Sequence, residues 1–128
     1  IALRDELIAE GKWNPASGAA AVTELLTRGE PFTALVASND DMAIGAISQL
    51  HKSGVATPGA VSVIGFDDVA IAPYIVPSLS SVRIPVTEMI QETISRLIFM
   101  LDGGEFKYQQ TFSGELILRD SVIAGPHR

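Results

Sequence analysis

Two nearly continuous apolar runs, Phe32–Ala37 (FTALVA) and Val61–Phe66 (VSVIGF), each lead directly into acidic and amide residues: Asn39-Asp40-Asp41 after the first, Asp67-Asp68 after the second. Runs of this length without polar alternation suit strands covered on both faces, as in a parallel sheet. The residues that follow the first run are helix-capping types, and their negative charge suits the positive end of a helix dipole. Ala43, Ala46, Ile47 and Leu50 then recur at helical spacing over 41–53. Gly45 permits a close backbone approach on that helix, and Lys52-Ser53-Gly54 supplies its stop.

The same alternation extends on both sides. Asn14-Pro15 reads as an N-cap followed by proline at the first helical position, with Val22, Leu25 and Leu26 as the inward stripe and Arg28-Gly29 as the end. Glu6–Ala9 (ELIA) is either a strand or the end of a helix. Strand, helix, strand, helix, strand at these spacings predicts an α/β domain with a parallel sheet and right-handed crossovers. Beyond Asp68 the rhythm changes. Residues 70–78 carry two prolines and predict an irregular segment, followed by a short extended piece over 80–84. From Pro85 to Leu101 a helix presents Val86, Met89, Ile90, Ile94, Leu97, Ile98 and Leu101 on one broad face, ending at Gly103-Gly104. A face so wide must pack on something large. Phe112–Leu118 alternates as a strand does, and 124–128 is a frayed tail.

With 128 residues the chain is enough for one domain, and its net charge of -6 repels phosphate backbones. No basic stripe offsets that charge, so this piece should not bind DNA by itself. The helix after Asn39 is not a DNA-reading helix either, because its acidic first turn would face phosphates. No cysteine is present, which excludes disulfides, thiolate metal sites and thiol catalysis. The two histidines, His51 and His127, are far apart, which argues against a histidine-dependent catalytic or metal cluster. No metal ligand set and no cofactor motif stand out. No apolar run approaches the roughly 20 residues that span a bilayer, and no signal-peptide pattern is seen.

In open parallel sheets ligands collect beyond the carboxyl ends of the strands. Asn39 and Asp67 both stand at such ends and should share one crevice. Capping alone could account for Asp40 and Asp41. The Asn39 amide can donate and accept together, as recognition of a hydroxyl requires. Asp67 is either a solvated strand end or a carboxylate that accepts hydrogen bonds from neighbouring sugar hydroxyls. Trp13, the sole tryptophan, lies in a turn-rich stretch (GKWNP) before a helix. It is either a core plug or staple, or a flat surface on which the C–H face of a pyranose stacks.

LVASNDDMAIGAI (Leu35–Ile47), VSVIGFDD (Val61–Asp68) and PSLSSVRIP (Pro77–Pro85), in this order and covering nearly the whole chain, resemble the effector-binding domain of the lactose/galactose repressor family. DDMAIGA, DDVAIAPY and RLIFMLDGG bring the likeness nearest to its galactose repressors, and among them to the galactose isorepressor. The resemblance implies an α/β, periplasmic-binding-protein-like fold of two lobes that close on a sugar. Residues 1–84 and about 112–128 would form most of the C-terminal lobe, and about 85–108 would be a helix returning to the other lobe. It implies that Trp13, Asn39 and Asp67 line the sugar pocket. A further effector-contacting position, often aromatic in the family, falls near Val86, where this sequence departs from the pattern. The helix after Asn39 and the 70–76 segment resemble the family's dimerising parts, which would make Ile44, Ile47, Tyr74 and Ile75 interface residues. Ordinary core for the helix and a plain loop for the segment are the alternative readings.

The function these features imply is that of a cytoplasmic bacterial repressor's sensing part, not an enzyme. It would bind a sugar, D-galactose or a close epimer, form a homodimer, and meet operator DNA only through a headpiece absent from these residues. Sugar would shift the balance between two lobe arrangements and lower operator affinity. Two alternatives use the same residues. One is a lobe of a periplasmic sugar carrier. The other is an Mg²⁺-dependent phosphoryl-transfer domain built on paired aspartates, although Lys12, Lys52 and Lys107 all sit in turn or helix-end contexts. By the resemblance much of the two-lobed domain is missing, so the chain alone should pair with another copy, swap elements, or be part of something longer.

Overall fold

The core of the fold is a four-stranded sheet with two helices crossing at close range, and the computed structural model describes residues 4–105 and 109–125. Expectations placed on His127, Lys107 and the last residues of the tail lie outside the described residues. The strands are β1 (Ala34–Val36), β2 (Ser62–Phe66), β3 (Ser80–Arg83) and β4 (Glu115–Ile117), ordered β1-β2-β3-β4. β1, β2 and β3 run parallel, with Leu35 opposite Val63 and Ile64 opposite Ser80. β4 closes the far edge antiparallel to β3, with Leu116 opposite Val82.

The helices are α1 (Pro15–Arg28), α2 (Asp40–Lys52) and α3 (Val86–Leu101). Each of the first two begins on an asparagine. Asn14 accepts from the Ser17 N–H and Asn39 from the Met42 N–H, so each satisfies one of the orphan donors of a helix start. α1 ends on Gly29 at φ 74, a left-handed conformation that glycine adopts without a Cβ clash. The two helices meet where their glycines face the partner's backbone. A Cβ on Gly18 would lie 2.1 Å from the Met42 carbonyl oxygen, and one on Gly45 would lie 1.8 Å from that of Pro15. Val22, Ala43, Leu50, Val63, Ala72 and Leu79 are wholly buried between these helices and the sheet. Removing each large member from water contributes about 1.5–3 kcal/mol before conformational entropy is charged.

Three features differ from the sequence expectations. Glu6–Ala9 joins no strand: Asp5–Leu7 is a single 3₁₀ turn and the chain then runs extended. β1 is not covered on both faces. Leu35 packs toward the core, but Ala34 and Val36 alternate to the opposite face and are exposed. α3 has the apolar face read from its sequence, yet none of its residues is buried. The 70–78 segment is irregular as expected, and contains a 3₁₀ turn, Ala72–Tyr74, anchored by the Leu79 N–H donating to the Ala72 carbonyl.

Candidate functional site

The carboxyl ends of β1 and β2 form one rim, where the starts of α1 and α2 also converge. Asn39 caps α2 with its Oδ1, and its Nδ2 donates to the backbone carbonyl of Trp13 at 3.4 Å. Local structure therefore uses both ends of the amide, but one Nδ2 hydrogen and one Oδ1 lone pair remain. Trp13 precedes the Asn14 cap in left-handed backbone, φ 58, and two-thirds of it is exposed. It is not a core plug. A bulky residue at positive φ is uncommon and costs on the order of 1–3 kcal/mol, which the surrounding contacts must offset.

Among the described residues, Asp67 and Asp68 are the other two non-glycine residues at positive φ, 107 and 54. Asp67 is exposed at the end of β2. Partial burial, together with the charges of Asp40 and Asp41, pushes its carboxyl above the usual range. The structure thus brings Trp13 and Asn39 into contact and sets Asp67 within electrostatic reach of the two aspartates that follow Asn39.

The turn carrying Asp67 is pinned at three successive amides. The N–H of Asp67 donates to the Val82 carbonyl at 2.9 Å, that of Asp68 to Ser81 Oγ at 3.0 Å, and that of Val69 to Asp40 Oδ2 at 2.8 Å. Asp40 has no exposed surface, and its other oxygen accepts from Ser81 Oγ at 2.6 Å. Glycine at position 65 makes room for it, since a Cβ there would lie 2.1 Å from Asp40 Oδ1. Asp68 turns inward. Arg83 reaches its Oδ2 at 2.7 Å and Arg119 its Oδ1 at 2.7 Å. Burial opposes ionisation of Asp68, but the two guanidiniums outweigh it and hold its carboxyl below the usual range.

Sequence reasoning left Asp40 between a plain cap and a part of the ligand crevice, and did not find Ser81, Arg83 or Arg119. Asn39 is the cap; Asp40 is a buried tie to residues 29 and 41 positions away, a separation that no local pattern encodes. The pairing of two strand-end aspartates was visible, but not which of them turns in.

Of the residues considered for an interface, Tyr74 is 79% exposed, while Ile44 and Ile75 are half-buried against the core. Ile47 must be withdrawn, because it is 5% exposed and packs inward from the buried side of α2. Val86 is half-exposed at the first turn of α3. A cavity of about 510 Å³ lies elsewhere, along the open edge of β1, lined by Leu7, Ile8, Val22, Phe32, Val36 and Met42 among others. None of Trp13, Asn39 and Asp67 borders it, and its apolar lining offers a sugar few hydrogen-bond partners. Among the described residues no group of three His, Cys, Asp or Glu could hold a metal ion, and no helix is long and apolar enough to cross a membrane.

Residues 3–122 match a family model described as a periplasmic binding protein-like domain. The HTH-type transcriptional regulator AscG of Escherichia coli K12 is 72% identical over 124 residues, which is 97% of this chain and 37% of that protein. The crystal structure of the Escherichia coli repressor ascG superposes with a TM-score of 0.86 at 71% identity, over 97% of this chain and 45% of that one. The regulator GalS of Salmonella typhimurium LT2 is 44% identical over 89 residues, 70% of this chain and 26% of that protein. A transcriptional regulator, CelR, in complex with cellobiose superposes with a TM-score of 0.90 at 30% identity, over 94% of this chain and 37% of that one. The chain therefore spans less than half the length of these relatives, which are transcriptional regulators.

Proposed function

Because the chain belongs to the periplasmic binding protein-like family, as an effector-binding domain of the lactose/galactose type of transcriptional regulator, we propose that it senses a sugar at the rim formed by Trp13, Asn39 and Asp67. The observation that carries this reading is the hydrogen bond from Asn39 Nδ2 to the Trp13 backbone carbonyl, at the strand-end rim where Asp67 also stands, in left-handed backbone. In that arrangement the indole supplies a stacking face, the spare amide hydrogen meets a hydroxyl oxygen, and the carboxylate accepts from neighbouring hydroxyls. The family's cellobiose complex supports a carbohydrate ligand.

The finer reading is that the sugar is D-galactose or a close epimer. Likeness to the galactose isorepressor GalS supports it, at 44% over 89 residues, whereas AscG is alike at 72% over 124. In the intact protein the sugar would lower operator affinity by favouring one lobe arrangement over the other, operator contact lying outside these residues. Residues 1–84 and about 112–128 would form one lobe, with the helix over about 85–108 reaching toward the second. Tyr74 and Ile75, together with Ile44 of α2, would contribute to a homodimer. Such a regulator would act in the bacterial cytoplasm.

Calorimetric titration of the intact protein with D-galactose, D-fucose, D-glucose and cellobiose tests this. Asp67→Ala should weaken the sugar that binds by about 10-fold or more, the usual effect of losing a hydrogen bond to a charged group. Undiminished binding by that variant would remove Asp67 from the site.

A further inference from the structure

Two of the three pinned amides lead to a residue that cannot itself touch a ligand. Asp40 is wholly enclosed, and each of its carboxylate oxygens holds a different element: Oδ2 takes the Val69 N–H from the turn after β2, and Oδ1 takes the Ser81 hydroxyl from β3. That hydroxyl in turn accepts the Asp68 N–H. Two of the three bonds that fix the Asp67-Asp68-Val69 backbone therefore pass through Asp40, one directly and one through Ser81.

From this we infer that Asp40 is a positioning residue for ligand recognition: it fixes the turn in which Asp67 presents its carboxylate, and so sets sugar affinity without contacting sugar. The inference rests on the sugar-site reading of Asp67 given above. Left-handed backbone at two successive aspartates persists only where neighbours over-determine it, and here the neighbours are Asp40, Ser81 and the Val82 carbonyl. Truncating the Asp40 side chain to a methyl group would strand the part-buried Val69 N–H and free the Ser81 hydroxyl to rotate. The turn could then relax toward ordinary backbone angles, carrying Asp67 away from Trp13 and Asn39. Small displacements of a binding group suffice to weaken recognition, because the geometry is set before the ligand arrives.

Asp40 also acts on Asp67 through its charge. The groups that face Asp67 are Asp40 and Asp41 from α2, while the neighbouring Asp68 is neutralised by Arg83 from β3 and Arg119 beyond β4. The negative charge of Asp40 contributes to holding the Asp67 carboxyl up, so protonation of Asp67 should end sugar binding at a higher pH than for an isolated aspartate.

The test uses the intact protein, titrated with D-galactose, D-glucose and cellobiose across pH 4 to 8, the pH series run on whichever sugar binds wild type. Asp40→Ala should raise the Kd about 10-fold or more. Asp40→Asn is nearly isosteric; it keeps an acceptor for the Val69 N–H and offers its amide to Ser81, so it should lose less than Asp40→Ala and shift the acid limb of binding to lower pH. A residue that served folding alone would not move that limb. Asp67→Asn is the reference. If it leaves binding intact, or if no sugar binds wild type, the site reading fails and this inference with it. If Asp67→Asn abolishes binding while Asp40→Ala stays within about twofold of wild type, the positioning role alone is overturned. Should Asp40→Ala fail to fold, Asp40→Asn decides, and an unmoved acid limb overturns the role.

Discussion

Asp67 and Asp68 are joined by one peptide bond, both in left-handed backbone, and their carboxylates meet opposite environments. The first lies exposed beside two like charges, and its carboxyl is pushed up. The second is closed between Arg83 and Arg119, and its carboxyl is held down. One side chain is thus left for a ligand while its neighbour secures the turn to β3 and to the chain just after β4. Because Arg83 immediately precedes the passage into α3 and Arg119 follows the return through β4, Asp68 ties both ends of that excursion to the candidate site.

Removing the inward carboxylate should be costly. Asp68→Ala leaves the Arg119 guanidinium with the Leu79 carbonyl but no carboxylate, on a side chain only 15% exposed, and we expect a loss of about 2 kcal/mol, between the surface and fully buried limits for a broken ion pair. Arg83 is half in solvent, so Arg83→Ala should lose no more than about 1 kcal/mol. Urea denaturation midpoints at neutral pH measure both. Equal losses for the two variants would show that Arg119 is not the dominant partner.

The opposite shifts give opposite pH dependences. The folded pKa of Asp68 lies below its unfolded value, so its contribution is complete above about pH 4 and is lost as pH falls through the lowered folded value. The folded pKa of Asp67 lies above its unfolded value, so its protonated form favours folding below about pH 4, and that advantage disappears as pH rises through the raised value. At pH 7 the ionised Asp67 is therefore a burden on stability. Asp67→Asn should raise Tm slightly at pH 7, on the order of 1 °C, and give no gain at pH 3. Thermal scans at the two pH values check the sign, and a drop in Tm at pH 7 would contradict it.

Much of this arrangement could be read from the sequence because it is local. Asn14-Pro15, Gly29 and the Asn39 cap are encoded within a turn or two of where they act, and the α2 stripe buries as its spacing indicates. The strand ends that place Asn39 and Asp67 on one rim follow from the parallel order. What escaped notice depends on distant partners. Asp40 and Ser81 are 41 residues apart, and Ser80 and Ser121, both buried, bond across the same separation. Serine and aspartate ordinarily suggest surface, and only their mutual satisfaction lets them lie inside. Ile47, which the family resemblance offered as an interface residue with ordinary core as the alternative, buries with the α2 stripe to which its spacing assigns it.

The α1–α2 crossing should be intolerant of any added atom. Gly45→Ala would drive a methyl into the Pro15 carbonyl and Gly18→Ala one into that of Met42, both backbone atoms that cannot rotate away. The helices would have to separate, and each substitution should cost about 3 kcal/mol despite alanine's better helix propensity. Because Pro15 and Met42 flank the Trp13–Asn39 contact in sequence, the same variants should also perturb the emission of Trp13, the sole tryptophan. Equilibrium unfolding followed by fluorescence reads both effects. A stabilised Gly45→Ala variant would mean that the helices are farther apart than described.

The last expectation concerns α3, whose Ile90, Ile94, Leu97 and Ile98 are each more than half exposed on one apolar face. At 16 residues, a helix with no buried side chain is near the length at which isolated helices are marginal in water. Its order in solution should therefore depend on a surface that covers that face, and the 128-residue chain studied alone should associate through it. Ile94→Lys combined with Leu97→Lys places two charges in the stripe while leaving the α1–α2 core untouched. The double variant should sediment as a monomer and lose about a turn or more of helical circular dichroism, whereas the unaltered chain should shift to larger species as concentration rises. If the unaltered chain instead stays monodisperse and monomeric while the α3 amides resist hydrogen exchange, the helix is stable uncovered and the dependence proposed for it does not exist.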